Sequence, residues 1–173
     1  LISYRLSENQ SMSKASDWIN RTEVLNEFNL DEFEERTLFR VLEITGSNKE
    51  EIISDIQDEL FAIYKFENTN INLDWTSFVL YGTKCPIGKH GYSRDHRPDK
   101  KQITVGLSEL ASPIDIPVGI TIQPGNTNDQ KHFSKTFDQI KNKLKFNSLI
   151  TYDKGANSQE NNNLVVNSKM KYL

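Results

Sequence analysis

The 173-residue chain predicts a mixed fold, α+β shading into α/β. A helical front region precedes a sheet of three antiparallel strands and one parallel strand, with flanking helices. Three observations predict it. Apolar residues recur at helical spacing through the first third of the chain. From Asn68 the period changes, and apolar residues alternate with polar ones. Finally, one helical stretch separates the third strand from the fourth, and a helical crossover returns the chain parallel to a strand of the same sheet.

The front helices come first. Ser13–Trp18 and Thr22–Phe28 read as two short helices joined near Asn20. Asp31 and Glu34 form a capping-box-like start for a third, whose stripe of Phe33, Leu38, Val41 and Leu42 ends at Gly46. Ser47-Asn48 is expected to cap a fourth, with Glu50 or Glu51 reaching back. There Ile52, Ile56, Leu60 and Ile63 make one narrow apolar face. Short helices with tight joints fit a helix-turn-helix element, and fit a helical subdomain or a dimerisation element about as well.

In the first strand Ile71, Leu73, Trp75 and Val79 alternate with Asn72, Asp74 and Thr76, so Asp74 points away from the apolar face. Cys85-Pro86 and Gly88 end the strand and open a basic loop. Ile103, Val105 and Leu107 mark the second strand, and Val118, Ile120 and Ile122 the third. Pro113 to Pro117 joins them, and Pro124-Gly125-Asn126 makes the next turn. A helix from about Asp129 carries Phe133, Phe137, Ile140 and Leu144 on one side. Ser148–Tyr152 is the fourth strand, expected beside the first. Asn157 and Glu160 can cap a helix running through Val166, and Ser168–Leu173 reads as the start of a fifth strand.

Composition narrows the function classes. No apolar run is long enough to span a membrane, and the first twenty residues lack a signal-peptide layout, so a cytoplasmic protein is expected. The lone Cys85 excludes an internal disulfide and a multi-cysteine zinc site. A net charge of -3 argues against nonspecific nucleic-acid binding by the chain as a whole. Its distribution differs: Lys84, Lys89, Arg94, Arg97, Lys100 and Lys101 face only Asp95 and Asp99 between residues 84 and 101, with His90 and His96 among them. Clustered cations of this kind suit phosphate. Arg94, His96, Arg97, Lys100 and Lys101 are the candidate DNA contacts, while Arg94 or Arg97 pairing with Asp95 or Asp99 is the internal alternative.

Aspartate is depleted in strands, because it packs poorly on a pleated surface and tolerates burial only when paired. Asp74 and Asp153 lie in or just after strands expected to be neighbours. That pairing points to a carboxylate site for a hard divalent cation.

The block from His90 to Gln102, the block Pro124-Gly-Asn-Thr-Asn-Asp129 and the block Tyr152-Asp-Lys-Gly-Ala-Asn-Ser158 resemble insertion-sequence transposases with an Asp-Asp-Glu triad. The resemblance covers roughly Asn70 to Leu173. It implies a ribonuclease-H-like core over residues 68–173, preceded by a helical region over residues 1–67. It also implies Asp74 and Asp153 as the first two catalytic, metal-binding carboxylates. The family's glutamate lies on a later helix and has no counterpart here, and Glu160, seven residues past Asp153, reads as a helix-start carboxylate. Magnesium or manganese, two ions in a complete enzyme, is the implied cofactor. Double-stranded DNA is the implied partner, as element terminal inverted repeats and as target, with a homodimer possible and nucleoid association when DNA is bound. The start at Leu1 and the ending at Leu173 predict a truncated piece without strand-transfer activity, its sheet edge beside Asp153 lacking a neighbour. A non-catalytic DNA-binding remnant and another ribonuclease-H-like nuclease are the alternatives.

Overall fold

Helices α1 (Ile2–Ser7), α2 (Met12–Ile19), α3 (Thr22–Phe28), α4 (Glu35–Ser47) and α5 (Lys49–Tyr64) precede the sheet. The computed structural model describes residues 1–8, 10–64, 70–111 and 115–173. The period change at Asn68, the expected boundary after residue 67 and the Pro113 end of the strand connection lie outside them. The described residues divide into two compact units, Leu1–Ile52 and Ile53–Leu173, so most of α5 belongs with the sheet. Gln57 explains this, since its side-chain amide donates to the Val118 carbonyl at 2.7 Å, and Leu60 and Phe61 pack against the sheet's core.

The first unit is built on Tyr4, Ala15, Ile19 and Leu38, with Trp18, Val24 and Phe33 packed around them. Ser11 caps α2 by accepting from the Lys14 amide. Asn29, in the left-handed region at φ 49°, closes α3, a conformation asparagine tolerates better than most residues. The Asp31–Glu34 capping box is not formed. Helix α4 starts at Glu35, and Glu34 sits at its N-cap without a side-chain bond. Asn20 is the reason. Its amide donates to the Phe33 carbonyl at 2.8 Å and its oxygen accepts from the Phe33 amide at 3.1 Å, which holds the preceding residues extended. Asn48 likewise closes α4, donating to the Ile44 carbonyl, rather than opening α5 with its side chain.

In the second unit β1 (Asn70–Leu80), β2 (Lys101–Leu110) and β3 (Ile116–Pro124) form the expected antiparallel meander. Helix α6 (Asp129–Ile140) crosses over to β4 (Leu149–Tyr152), which lies parallel beside β1. Helix α7 (Gln159–Asn167) then leads to β5 (Lys171–Tyr172), parallel beside β4. The strand order β3-β2-β1-β4-β5, with helices flanking the sheet, is a ribonuclease-H-like mixed sheet. The edge beside Asp153 is therefore paired: the Leu173 amide donates to Ile150 and the Tyr152 amide to Leu173. Helix α7 is capped by Ser158 and not by Asn157, whose side-chain oxygen is engaged by Asn162. Glu160 falls in the first turn of that helix, as expected.

Alternation along β1 decides what each side chain does. Ile71, Leu73 and Trp75 are buried against Phe133, Phe137 and Ile140 of α6 and Val165 of α7, while Asp74, Thr76 and Phe78 lie exposed. Between sheet and α6 runs a buried polar chain. Trp75 Nε1 donates to Thr136, Thr136 pairs with Thr121 at 2.8 Å, and the His132 ring lies between Thr121 and Thr104 at 2.9 and 3.3 Å. Gly106 makes room for it, since a Cβ there would stand 2.4 Å from the Thr136 hydroxyl. Among the described residues no helix is long and apolar enough to cross a membrane.

Candidate active site

Strands β1, β3 and β4 run in one direction and β2 in the other, so the carboxyl ends of the three and the amino end of α6 share one edge. Strand β4 is short. Its last pairing is Tyr152 with Leu73, so Asp153 and Asp74 are the next residues in register on neighbouring parallel strands. Here the strand order turns from one side of β1 to the other, the kind of position where open sheets that contain parallel strands take ligands.

Beyond Leu73 the β4 side of β1 has no strand partner among the described residues, and backbone groups there need other partners. The Trp75 amide donates to Asp74 Oδ1 at 2.8 Å. The Trp75 carbonyl accepts from Arg94 Nη1, and Arg94 Nη2 donates to Asp129 Oδ2 at 2.7 Å. One guanidinium thus ties β1, one residue past Asp74, to the first turn of α6. Asparagine at 128 caps that helix by accepting from the Lys131 amide, and a carboxylate in the first turn suits the positive end of the helix dipole.

Asp153 Oδ1 accepts from the Gly155 amide at 2.7 Å, which folds the turn after β4 back on itself. A Cβ on Gly155 would stand 2.9 Å from Asp153 Oδ1 and 3.0 Å from Asp129 Oδ2, so the two carboxylates flank the space that glycine leaves. Burial pushes the Asp129 carboxyl above its ordinary pKa. Arg94 works against this, and the negative charges of Asp153 and Asp74 add to the upward push. Asp129 therefore feels both predicted site aspartates. The sequence pattern does not single it out, since Pro124–Asp129 reads as a turn and a helix start, although that block is itself a signal. Among the described residues no three His, Cys, Asp or Glu side chains form a metal-binding group.

The three sequence blocks meet at this edge. Gln102, buried, donates to the Tyr92 carbonyl at 2.6 Å and the Gly125 carbonyl at 3.1 Å, and Lys89 and Gln102 exchange backbone bonds. Tyr92, Arg94, Ser77, Asn126, Asp129 and Gly155 help line a cleft of about 260 Å³ beside the carboxylates.

Arg94, expected as a phosphate contact, is bonded to the Trp75 carbonyl and to Asp129, and its side chain keeps 38% of its surface exposed. Its partner is neither Asp95 nor Asp99. Arg97 does pair internally, as a fork on Asp99 at 2.9 and 2.8 Å, and the pair is exposed. That hydrogen bond holds the Asp99 pKa down at about 2. Arg97 and Lys100 also sit 5.9 and 5.8 Å from the centre of the Tyr81 ring. His96 is exposed in the left-handed region at φ 54°, and Lys101, also exposed, opens β2. These outer groups form a cationic ridge separate from the Arg94 link.

No family model and no curated protein matches the chain. Among solved structures it is similar to a Mos1 transposase paired-end complex with left transposon end, at TM-score 0.41 and 10% identity over 96% of this chain. It is also similar to a pre-cleavage Mos1 transpososome, at TM-score 0.33 and 11% identity over 94% of this chain. The chain spans 59% and 57% of those two chains.

Proposed function

We propose that this chain carries the carboxylate centre of a DNA transposase of the insertion-sequence type, for divalent-metal-dependent cleavage and joining of DNA at element ends. The observation that carries the reading is the register: Asp74 and Asp153 follow the last paired residues of two adjacent parallel strands. The donor set fits magnesium or manganese, hard cations that take carboxylate oxygens and complete their shell with water and substrate phosphate. When bound, such ions polarise phosphate oxygens and stabilise the charge that develops in an in-line displacement. Asp74 and Asp153 would hold the metal. The sheet would keep the two carboxylates apart by one strand spacing, and the Gly155 turn would fix the second.

Arg97, Lys100, Lys101 and His96 would meet DNA phosphates from the outer ridge. The Arg97 fork would have to exchange Asp99 for phosphate, which costs little at an exposed pair. Bound DNA would include element terminal repeats and target. The lack of a three-residue metal group among the described residues favours one further reading, DNA binding without strand transfer by these residues alone.

The test is to mix purified chain with labelled duplex ends of its own element and manganese, following nicked and joined products alongside manganese binding. Binding lost in Asp74→Ala and in Asp153→Ala supports the centre. Binding indifferent to both substitutions would sink it, and a chain that binds DNA and metal without making product would favour the non-catalytic reading.

A further inference from the structure

We propose that Arg94 is a positioning residue that holds Asp129 off the Asp74–Asp153 pair, so that the centre offers a cation two carboxylates and not three. This rests on the carboxylate-centre reading above. The geometry comes first. Arg94 spans two acceptors on different elements, the Trp75 carbonyl of β1 and Asp129 Oδ2 of α6, and only a planar fork serves both at once. Asp129 Oδ2 shares the space over Gly155 with Asp153 Oδ1, so a carboxylate released there would lie against the second expected metal ligand. Yet no group of three such side chains forms a metal-binding set among the described residues. The guanidinium accounts for both facts, because it engages the oxygen of Asp129 that faces the space over Gly155.

The lock has a second consequence. Arg94 sits one residue from Asp74 along β1, because the carbonyl it binds belongs to Trp75, whose amide is bound by Asp74. Its positive charge therefore stands beside the centre and partly offsets the aspartates. Removing the arginine deletes a repelling charge and frees an attracting one. Removing the Asp129 charge does the reverse, leaving an uncompensated cation at the edge. The two substitutions must push cation affinity in opposite directions, which loss of packing alone would not do.

The experiment measures manganese binding to the whole chain, from the paramagnetic resonance signal of free Mn²⁺ at low salt. The variants are Arg94→Gln, Asp129→Asn and the double variant, with circular dichroism to check folding. Arg94→Gln is expected to tighten binding about fivefold and Asp129→Asn to weaken it about fivefold, with the double variant close to wild type. Shifts in the same direction, or none, overturn the lock. If Arg94→Gln does not fold, Arg94→Lys, which keeps the charge and loses the fork, decides: tighter binding supports the proposal, and unchanged or weaker binding overturns it. Asp74→Ala and Asp153→Ala separate the two levels. If both abolish binding while the Arg94 and Asp129 variants fail to oppose one another, the lock alone fails. If neither changes binding, the carboxylate centre fails and the lock with it.

Discussion

The inner and outer parts of the loop before β2 use the same residue types to different ends. Around Arg94 the loop is drawn into the sheet edge, where a strand backbone lacks a neighbour and a half-buried carboxylate needs a cation. Around Arg97, no more exposed than Arg94, the same fork finds Asp99 two residues away, and it is this carboxylate that stays in solvent. An ion pair in water contributes little, since screening and side-chain entropy offset its attraction. A pair that also satisfies a backbone carbonyl where water is partly excluded contributes more, because breaking it strands both partners. Identical side chains three residues apart thus tie two elements together in one place and meet a single exposed carboxylate in the other.

The largest effect that would break this contrast lies beneath the inner part. Phe133 is fully buried with its ring 5.9 Å from Trp75, 5.7 Å from Phe137 and 4.8 Å from Tyr152. Phe133→Ala is expected to cost about 3–5 kcal/mol in urea unfolding, through lost burial and the cavity left behind. Tyr81→Ala, in the outer part, should leave the midpoint where it was. A comparable loss from both would mean that the outer ridge is also part of the packed structure.

Next in size is the arginine pair. Arg94→Ala should destabilise by about 1–2 kcal/mol, since it leaves the Trp75 carbonyl and Asp129 without their partner. Arg97→Ala should not move the Tm measurably. Equal Tm values for the two variants would contradict the bridging role given to Arg94.

Acid sharpens the comparison further. Burial, with Lys135 adding to it, pushes the His132 pKa down to about 4 from an ordinary 6.5, while Asp99 is held at about 2. Between those two histidine values the unfolded chain binds the proton better than the folded one. Stability is therefore lost as pH falls from about 6.5 toward 4, and the loss levels off below. The Arg97–Asp99 pair stays charged across that window. Urea midpoints measured from pH 7.5 to 4.5 should fall in the wild type and fall less in His132→Gln. A fall unchanged in that variant would assign the acid response to other groups.

The smallest expected effect concerns DNA. Arg97→Gln and Lys100→Gln should each lower the slope of log affinity against log salt by about one, and Arg94→Gln should leave it alone. A slope reduced by the Arg94 variant and unmoved by the others would reverse the assignment of the two parts.

Much of the fold was legible because its signals are local. Alternation at Ile71, Leu73 and Trp75 needs nothing beyond neighbours in the chain, and it already turned Asp74 outward. The crossover helix made β4 parallel, and its place beside β1 followed, which brought Asp74 and Asp153 together in register. Capping was less legible. Asp31 and Glu34 carry the right types at the right spacing, but Asn20, thirteen residues before Phe33, holds that backbone extended. Asn157 lost its capping role to the adjacent Ser158 for a similar reason, its side chain being engaged elsewhere.

Residue order by itself determined the strands, the crossover and the two aspartates on neighbouring strands, because backbone periodicity and chain connectivity are properties of consecutive residues. Only the tertiary structure decided that Asp129 comes beside the Gly155 turn and that Arg94 binds both it and the Trp75 carbonyl. Those contacts link residues 35 and 19 positions apart. They exist because a short β4 leaves the far end of β1 with backbone groups to satisfy, and no pattern along the chain reports where a neighbouring strand will stop.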